Sequence, residues 1–463
     1  MIHSSDIERF ETFRDPAGSL YLENGRVLRR VFYPYADVIL DFLHSEVGKG
    51  WIASGRFISA EVVSRLENTS VLLEHPRIAF PSYPWEWTPG QWGAAADLTL
   101  DLCEETLGLG LILKDATPLN ILFDGPEPVF VDVSSVEKRD PASPIWLAYA
   151  QFVRTFLLPL AAHRHLGWPL AASIHRRDGF EPVDLYPYLS PLQRWTRPFR
   201  SLVTAPYLLE NRQTIENSAL VRQWQKSPEI VDAILRRNLR SLRKTLHSLL
   251  PAEMNSRWSE YQENADHYNE EDHSTKKAFV QKALLRARPA TVLDLGANTG
   301  VYSRIAASHN ASVVAWDSDV SACECNWRTA REKRLPIQVL VADVARPTPS
   351  AGWRNAESLS LLDRAGGQFE CVLMLGLMHH LLLSDQIPLA EVARLASELT
   401  RKWLIIEWVP NSDSRFIQIL RGRDLPSGAL NEESFLRAFG NYFSCSLREP
   451  LKNGRILFLL ETL

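Results

Sequence analysis

Thr291-Val-Leu-Asp-Leu-Gly-Ala-Asn-Thr-Gly300 reads as a buried strand running into a glycine-bearing turn that opens a helix. Val292, Leu293 and Leu295 supply the apolar run of a central parallel strand. Gly296 and Gly300 let the backbone come close to a ligand at the strand's carboxyl end. A dinucleotide-binding turn counted from Gly296 would need two further glycines, the last for close helix–strand packing. The chain has Asn298 and Val301 there, which disfavours that ligand.

Further apolar runs follow, each ending in a polar group. Ser312-Val-Val-Ala-Trp316 ends in Asp317, roughly twenty residues beyond Asp294, where a carboxylate can accept from both ribose hydroxyls. Gln338-Val-Leu-Val-Ala342 ends in Asp343, Phe369-Glu-Cys-Val-Leu-Met-Leu375 precedes His379-His380, and Lys402-Trp-Leu-Ile-Ile406 ends in Glu407. Helical patterns over Ser321 to Arg334 and Pro388 to Leu399 alternate with them, as a doubly wound sheet requires. Tyr442 to Arg448 and Arg455 to Leu460 flank Asn453-Gly454 and predict an antiparallel hairpin closing the sheet.

The Asp-x-Gly-x-x-x-Gly turn resembles motif I of the class I S-adenosylmethionine-dependent methyltransferases, with Asp294, Gly296, Asn298 and Gly300 in the matching positions. The resemblance implies a seven-stranded Rossmann-like sheet and S-adenosylmethionine as methyl donor. Asn298 is then expected beside the donor's methionine portion, Asp317 at its ribose, Asp343 beside the adenine amino group and Leu375 against the cofactor. Methyl transfer from a sulfonium is an in-line displacement, so such an enzyme chiefly aligns donor and acceptor and, for a hydroxyl acceptor, manages a proton. His379 and His380 follow the strand where the reactive methyl is expected, and an imidazole can take that proton near neutral pH; His380 is preferred. Glu407 and Asp413 could orient a polar acceptor or cap the following helix. Trp258, Tyr261, His267 and Tyr268, ahead of a helix with Lys276 and Lys277, read as a lid or as core; Trp353, Arg354, Asn355 and Arg364 are candidate acceptor contacts.

Across its 463 residues the chain carries a net charge of −4 and is 45% hydrophobic. That allows two cored domains and does not favour a nucleic-acid partner. Five cysteines without zinc spacing suit reduced thiols. Charges in the first residues argue against a signal peptide, and no apolar run reaches membrane-spanning length, so a cytoplasmic protein is expected. A boundary near Pro251-Ala-Glu-Met-Asn-Ser256 divides residues 1–250 from residues 251–463. Just upstream, leucines at 235, 239, 242, 246 and 249 make one apolar helical face, and Arg236, Arg240, Arg243 and Lys244 read as a solvated stripe.

The first half holds a second concentration of chemistry. In Leu113-Lys-Asp-Ala-Thr-Pro-Leu-Asn-Ile-Leu-Phe123, Asp115 and Asn120 lie five residues apart, and Asp132 ends the next apolar strand. This resembles the catalytic-loop Asp and Asn and the metal-binding Asp of protein kinases and aminoglycoside phosphotransferases. It implies an α+β reduced kinase-like domain in which Asn120 and Asp132 could hold the magnesium of Mg-ATP. Ser19 to Leu28 reads as an Asn-Gly hairpin, and Tyr83-Pro-Trp-Glu-Trp87 as interlocked loop packing before a helix at Gln91 to Leu107. The chain departs from kinases in lacking the glycine-rich loop and the Val-Ala-Ile-Lys strand; Arg29 or Arg30 would have to replace that lysine.

Phe13-Arg-Asp-Pro-Ala-Gly-Ser19, Ser82-Tyr-Pro-Trp-Glu-Trp87, Leu113-Lys-Asp-Ala116, Phe130-Val-Asp-Val-Ser134 and Ala345-Arg-Pro-Thr-Pro-Ser-Ala-Gly-Trp-Arg-Asn355 also resemble a family of bacterial class I methyltransferases with rhizobial nodulation-associated members. Three readings remain open. One is a methyltransferase for a small-molecule or glycan-type acceptor whose first domain binds substrate or nucleotide. The others are a bifunctional kinase-methyltransferase and a non-catalytic sensor of S-adenosylmethionine.

Overall fold

Residues 14–66, 69–210, 228–251, 270–420 and 431–463 are described by the computed structural model. The chain divides into two compact units, Met1–Ala252 and Glu253–Leu463.

The first unit opens with strands β1 (Gly18–Glu23) and β2 (Arg26–Phe32), joined at Asn24-Gly25. Both turn residues have positive φ, which suits that pair to a tight hairpin. Helices α1 (Tyr35–His44) and α2 (Glu46–Ala53) follow, then β3 (Glu61–Leu66) and β4 (Ser70–His75), giving an antiparallel sheet in the order β1-β2-β4-β3. Thr88 and Gln91 form a reciprocal cap at the start of helix α3 (Pro89–Thr106), whose first residue is a proline that needs no helical donor. Trp85, Trp87 and Trp92 are buried around this start, and Trp87 meets Trp92 and Phe123 edge-on. The expected tryptophan packing is therefore present.

Beyond α3 come β5 (Leu111–Leu113), the hairpin of β6 (Ile121–Asp124) and β7 (Glu127–Phe130), and β8 (Val136–Lys138), which pairs with β5. Helix α4 (Pro228–Leu249) buries its leucine face as expected. Of its expected solvated stripe, Arg240 and Lys244 are exposed, but Arg236 and Arg243 are not free. Arg243 bonds Asp97 and Asp101 of α3, and Arg236 bonds Asp232 and the carbonyl of Glu104. The arginines clamp two helices together, because α3 presents carboxylates that the periodicity of α4 could not reveal.

The second unit begins with helix α5 (Glu270–Ala287), followed by β9 (Thr291–Leu295), α6 (Val301–Ser308), β10 (Ser312–Asp317), α7 (Val320–Glu332) and β11 (Ile337–Val341). Then come β12 (Phe369–Met374), α8 (Met378–Leu383), α9 (Leu389–Leu399), β13 (Thr400–Trp408), β14 (Phe443–Pro450) and β15 (Ile456–Thr462). Asp319 starts α7 by accepting from the backbone of Ser321 and Ala322. The sheet order is β11-β10-β9-β12-β13-β15-β14, with β15 antiparallel to both neighbours. This is the expected seven-stranded sheet with its terminal hairpin. Trp258, Tyr261, His267 and Tyr268 lie outside the described residues.

Candidate donor and acceptor site

Parallel register brings the functional strand ends to one edge. Leu295 pairs with Trp316 on one side and Met374 on the other, and Met374 pairs with Ile406. Gly296, Asp317, Leu375 and Glu407 thus sit one residue further on at a common level, with Asp343 just past β11.

The turn after β9 is left-handed at Gly296, Asn298 and Gly300. Backbone N–H groups of Gly296 and Ala297 donate to the carbonyl of Trp316, and that of Asn298 donates to Asp317 Oδ2 at 2.8 Å. The Asn298 side chain folds back to accept from Thr299 N–H at 2.7 Å, so its carbonyl serves the turn itself. A Cβ at Gly296 would sit 3.4 Å from Leu377. At Gly300 it would lie 2.0 Å from Oδ1 of Asn326, a buried amide.

Asp317 keeps a shared carboxylate, since Oδ1 accepts from Asp319 N–H and Oδ2 from Asn298 N–H, while burial pushes its pKa up. Asp343 accepts from Ala345 N–H and from Arg346, whose other arm reaches Asp385. Leu375 is buried at the end of β12. Asp294 points inward, accepting from the Ser303 hydroxyl at 2.6 Å, and burial raises its pKa to about 6. It therefore ties β9 to α6.

A protonation test follows for Asp294. The stability from its protonated form is complete below the ordinary aspartate value of 3.8 and is lost as pH rises through about 6. Asp294→Asn is expected to be more stable than the wild type above that pH, by roughly 1–3 kcal/mol, and so to melt higher, and to match it near pH 4. Equal pH dependence of the two melting curves would contradict this.

Glu407 departs from the sequence reading. The sequence places it just beyond the fifth strand, to orient a polar acceptor or cap the following helix; instead β13 runs on to Trp408 because Glu407 and Trp408 pair with Leu457 and Ile456 of β15. The carboxylate is wholly buried, 2.6 Å from Lys276 Nζ and 3.4 Å from Arg455 Nη1. Burial would raise its pKa, but the two cations hold it below the ordinary value. The carboxylate is enclosed and paired with two cations, and it fixes Lys276 and Arg455 in place. Arg455 also grips Asp413 through two nitrogens, at 2.8 and 3.2 Å. Lys276 additionally stands 5.1 Å from the centre of the Tyr302 ring. Two cations and two carboxylates thus offset one another under the sheet edge.

His379 and His380 open α8 with ring centres 4.3 Å apart. His379 is buried, and burial, with the charges of His380 and Arg455, pushes its pKa down to about 3; its Nδ1 has no hydrogen-bond partner. His380 is exposed. Arg364 is buried, bonding the Ser360 carbonyl, whereas Trp353 is exposed. Sequence reading missed the roles of Arg455, Ser303, Asn326 and Leu377. Arg455 alone left a trace, as a charge directly abutting the apolar run of β15.

In the first unit, Asp132 accepts from Arg29 at 2.7 Å, Ser134 at 2.6 Å and Ser135 at 2.5 Å. Asn120 donates to the Ser135 hydroxyl, Asp15 accepts from Lys114 and competes with Asp132 for the single Ser134 hydroxyl proton, and Asp115 accepts from Gln151 at 3.4 Å. Burial works against the Asp132 charge, yet Arg29 and the two hydroxyls bring its pKa down; burial and the nearby Asp132 push that of Asp115 up. Of the two arginines considered, Arg29 faces this cluster. Among the described residues no group of three or more His, Cys, Asp or Glu is arranged to hold a metal ion, and no helix is long and apolar enough to cross a membrane.

The chain is 28% identical over 442 residues to the nodulation protein NoeA of Rhizobium meliloti, covering 92% of this chain and 90% of that one. No protein-family model matches it. Among solved structures, the N-methyltransferase NodS of Bradyrhizobium japonicum overlaps 41% of this chain and 96% of its own, at 12% identity and a TM-score of 0.31. The magnesium protoporphyrin IX methyltransferase of Synechocystis, solved with S-adenosylhomocysteine, overlaps 42% and 84%, at 16% identity and 0.31. The bifunctional kinase-methyltransferase WbdD overlaps 41% and 39%, at 18% identity and 0.30.

Proposed function

We propose that the second unit transfers a methyl group from S-adenosylmethionine to a small-molecule or glycan-type acceptor. The observation that carries this reading is the convergence of the left-handed Gly296–Gly300 turn and the Asp317 carboxylate on one edge of a seven-stranded sheet. Bound there, S-adenosylmethionine would supply an electrophilic methyl on a sulfonium. Asp317, fixed by two backbone donors, retains lone pairs for ribose hydroxyls. Asp343 stands where an adenine amino group would reach it, on release of Arg346. The Gly296–Gly300 turn takes the methionine portion.

His380 takes the acceptor's proton in this scheme. A ring with a pKa near 3, as in His379, is a weak base, whereas His380 is open to solvent, its ring tilted against that neutral one. His380→Ala is expected to lower turnover about 100-fold, with affinity for S-adenosylhomocysteine held within twofold by calorimetry. An unchanged pH–rate profile in that variant would remove His380 from the chemistry. Donor binding with no methyl consumption across a broad acceptor panel would instead favour a sensor.

For the first unit, the arrangement favours substrate binding over phosphoryl transfer. Magnesium at Asp132 would have to displace Arg29 and two serine hydroxyls already in place. Titration of Mg-ATP into the full chain is expected to give no heat. Heat that vanishes in Asp132→Ala would favour the bifunctional kinase-methyltransferase reading, which transfer of phosphate to an acceptor would then establish.

A further inference from the structure

Helices Pro182–Leu185, Pro191–Trp195 and Ala205–Glu210 of the first unit, with the turns between them, form one small knot. Tyr186 stacks on Tyr207 at 3.9 Å, Arg194 lies 4.1 Å over the Tyr186 ring, and the Thr204 hydroxyl donates to the Arg194 carbonyl at 2.6 Å. These contacts tie together the segments that carry Tyr188, Leu192, Trp195 and Leu209. All four side chains stand out from the surface: Leu192 is 83% exposed, Trp195 and Tyr188 65% each, and Leu209 64%. Exposed apolar groups this large, gathered in one knot, call for a partner.

Charge narrows the choice. From Leu185 to Leu209 the sequence contains no Asp or Glu and three arginines, Arg194, Arg197 and Arg200, within a chain whose net charge is −4. The nearest upstream carboxylates are already neutralised, Asp184 by Arg176 at 3.0 Å and Glu181 by Arg154 at 2.6 Å. Arg197 and Arg200 are exposed. Even with Glu210 at the end of the last helix, the three arginines leave the knot net positive, which suits an anionic partner.

Shape narrows it further. A folded protein would need a matching hole for each protruding side chain, whereas the fluid boundary of a bilayer accepts irregular protrusions without one. Tryptophan and tyrosine favour the headgroup level, leucine reaches the acyl chains, and arginines answer anionic headgroups. We propose that this knot seats the protein peripherally on an anionic lipid surface, through Tyr188, Leu192 and Trp195 with Arg197 and Arg200.

The test is co-sedimentation of the full chain with phosphatidylcholine vesicles, with and without phosphatidylglycerol. Binding is expected only with phosphatidylglycerol, weakening as salt rises, and dropping at least tenfold in Leu192→Ser/Trp195→Ser and in Arg197→Glu/Arg200→Glu. Circular dichroism and melting verify the fold, and the arginine pair, lying on the surface, keeps the test usable should the apolar pair misfold. The proposal is overturned by absent binding, by equal binding to uncharged vesicles, or by variants that bind as the wild type does. Self-association without lipid that disappears in the same variants would overturn it too, assigning the patch to a second copy of the chain.

Discussion

Gly300→Val is expected to abolish binding of S-adenosylhomocysteine and to destabilise the second unit by about 3–5 kcal/mol, combining left-handed strain with overpacking. The backbone at Gly300 has a φ of 79°, and any Cβ would lie 2.0 Å from Oδ1 of the Asn326 side chain and 2.3 Å from its Cγ. Asn326 is buried and cannot simply swing into solvent. Gly296→Ala separates binding from folding, because the nearest atom to its Cβ would be on the Leu377 side chain, at 3.4 Å. That variant should stay folded, losing roughly 1–2 kcal/mol to its φ of 71°, while donor affinity falls at least tenfold. Vacating the neighbour in Gly300→Ala/Asn326→Ala should return the packing part of the loss and leave the backbone part. Calorimetry and melting on the four proteins check the set, and undiminished ligand binding in Gly300→Val would refute the donor site.

Arg455→Met is expected to cost about 3–5 kcal/mol, since it strips Asp413 of its forked partner and removes a cation from the buried Glu407, which keeps Lys276. Methionine fills similar space, so the loss would reflect charge and hydrogen bonds more than a cavity. Acid should mimic part of the effect. Glu407 has a folded pKa below its ordinary 4.5, so the stability it contributes is present above that value and is lost as pH falls through the lower, folded one. Glu407→Gln should flatten this acid limb of the melting temperature while lowering stability at neutral pH. A wild type and a Glu407→Gln variant with parallel acid limbs would show that the cluster contributes nothing of this kind.

Local pattern carried the second unit's architecture. The apolar run and the glycines of Thr291–Gly300 predicted a strand and a left-handed turn, and the strand-end acids Asp317 and Asp343 came to the same edge because parallel strands with alternating helices leave them no other side. Glu407 shows where such reading stops. Its strand end is set by pairing with β15, about fifty residues later, which no periodicity within β13 announces. Lys276 and Arg455 were equally opaque: a charged residue in sequence is usually solvated, and only the assembled sheet puts both against one carboxylate. In the first unit Asp132 and Asn120 were legible as a pair, with Arg29 as one of two candidate arginines, but the serine partners filling the carboxylate were not.

The buried quartet of Lys276, Glu407, Asp413 and Arg455 also bears on how the second unit assembles. Lys276 and Glu407 are separated by 131 residues and Glu407 and Arg455 by 48, so closing them incurs the loop-closure cost of distant partners. Any half-built species that shields Glu407 before both cations arrive carries an uncompensated ion in a dry interior. Such species are penalised, which makes the helix, the fifth strand and the hairpin loop interdependent: hydrogen exchange should find them opening together, as one cooperative block.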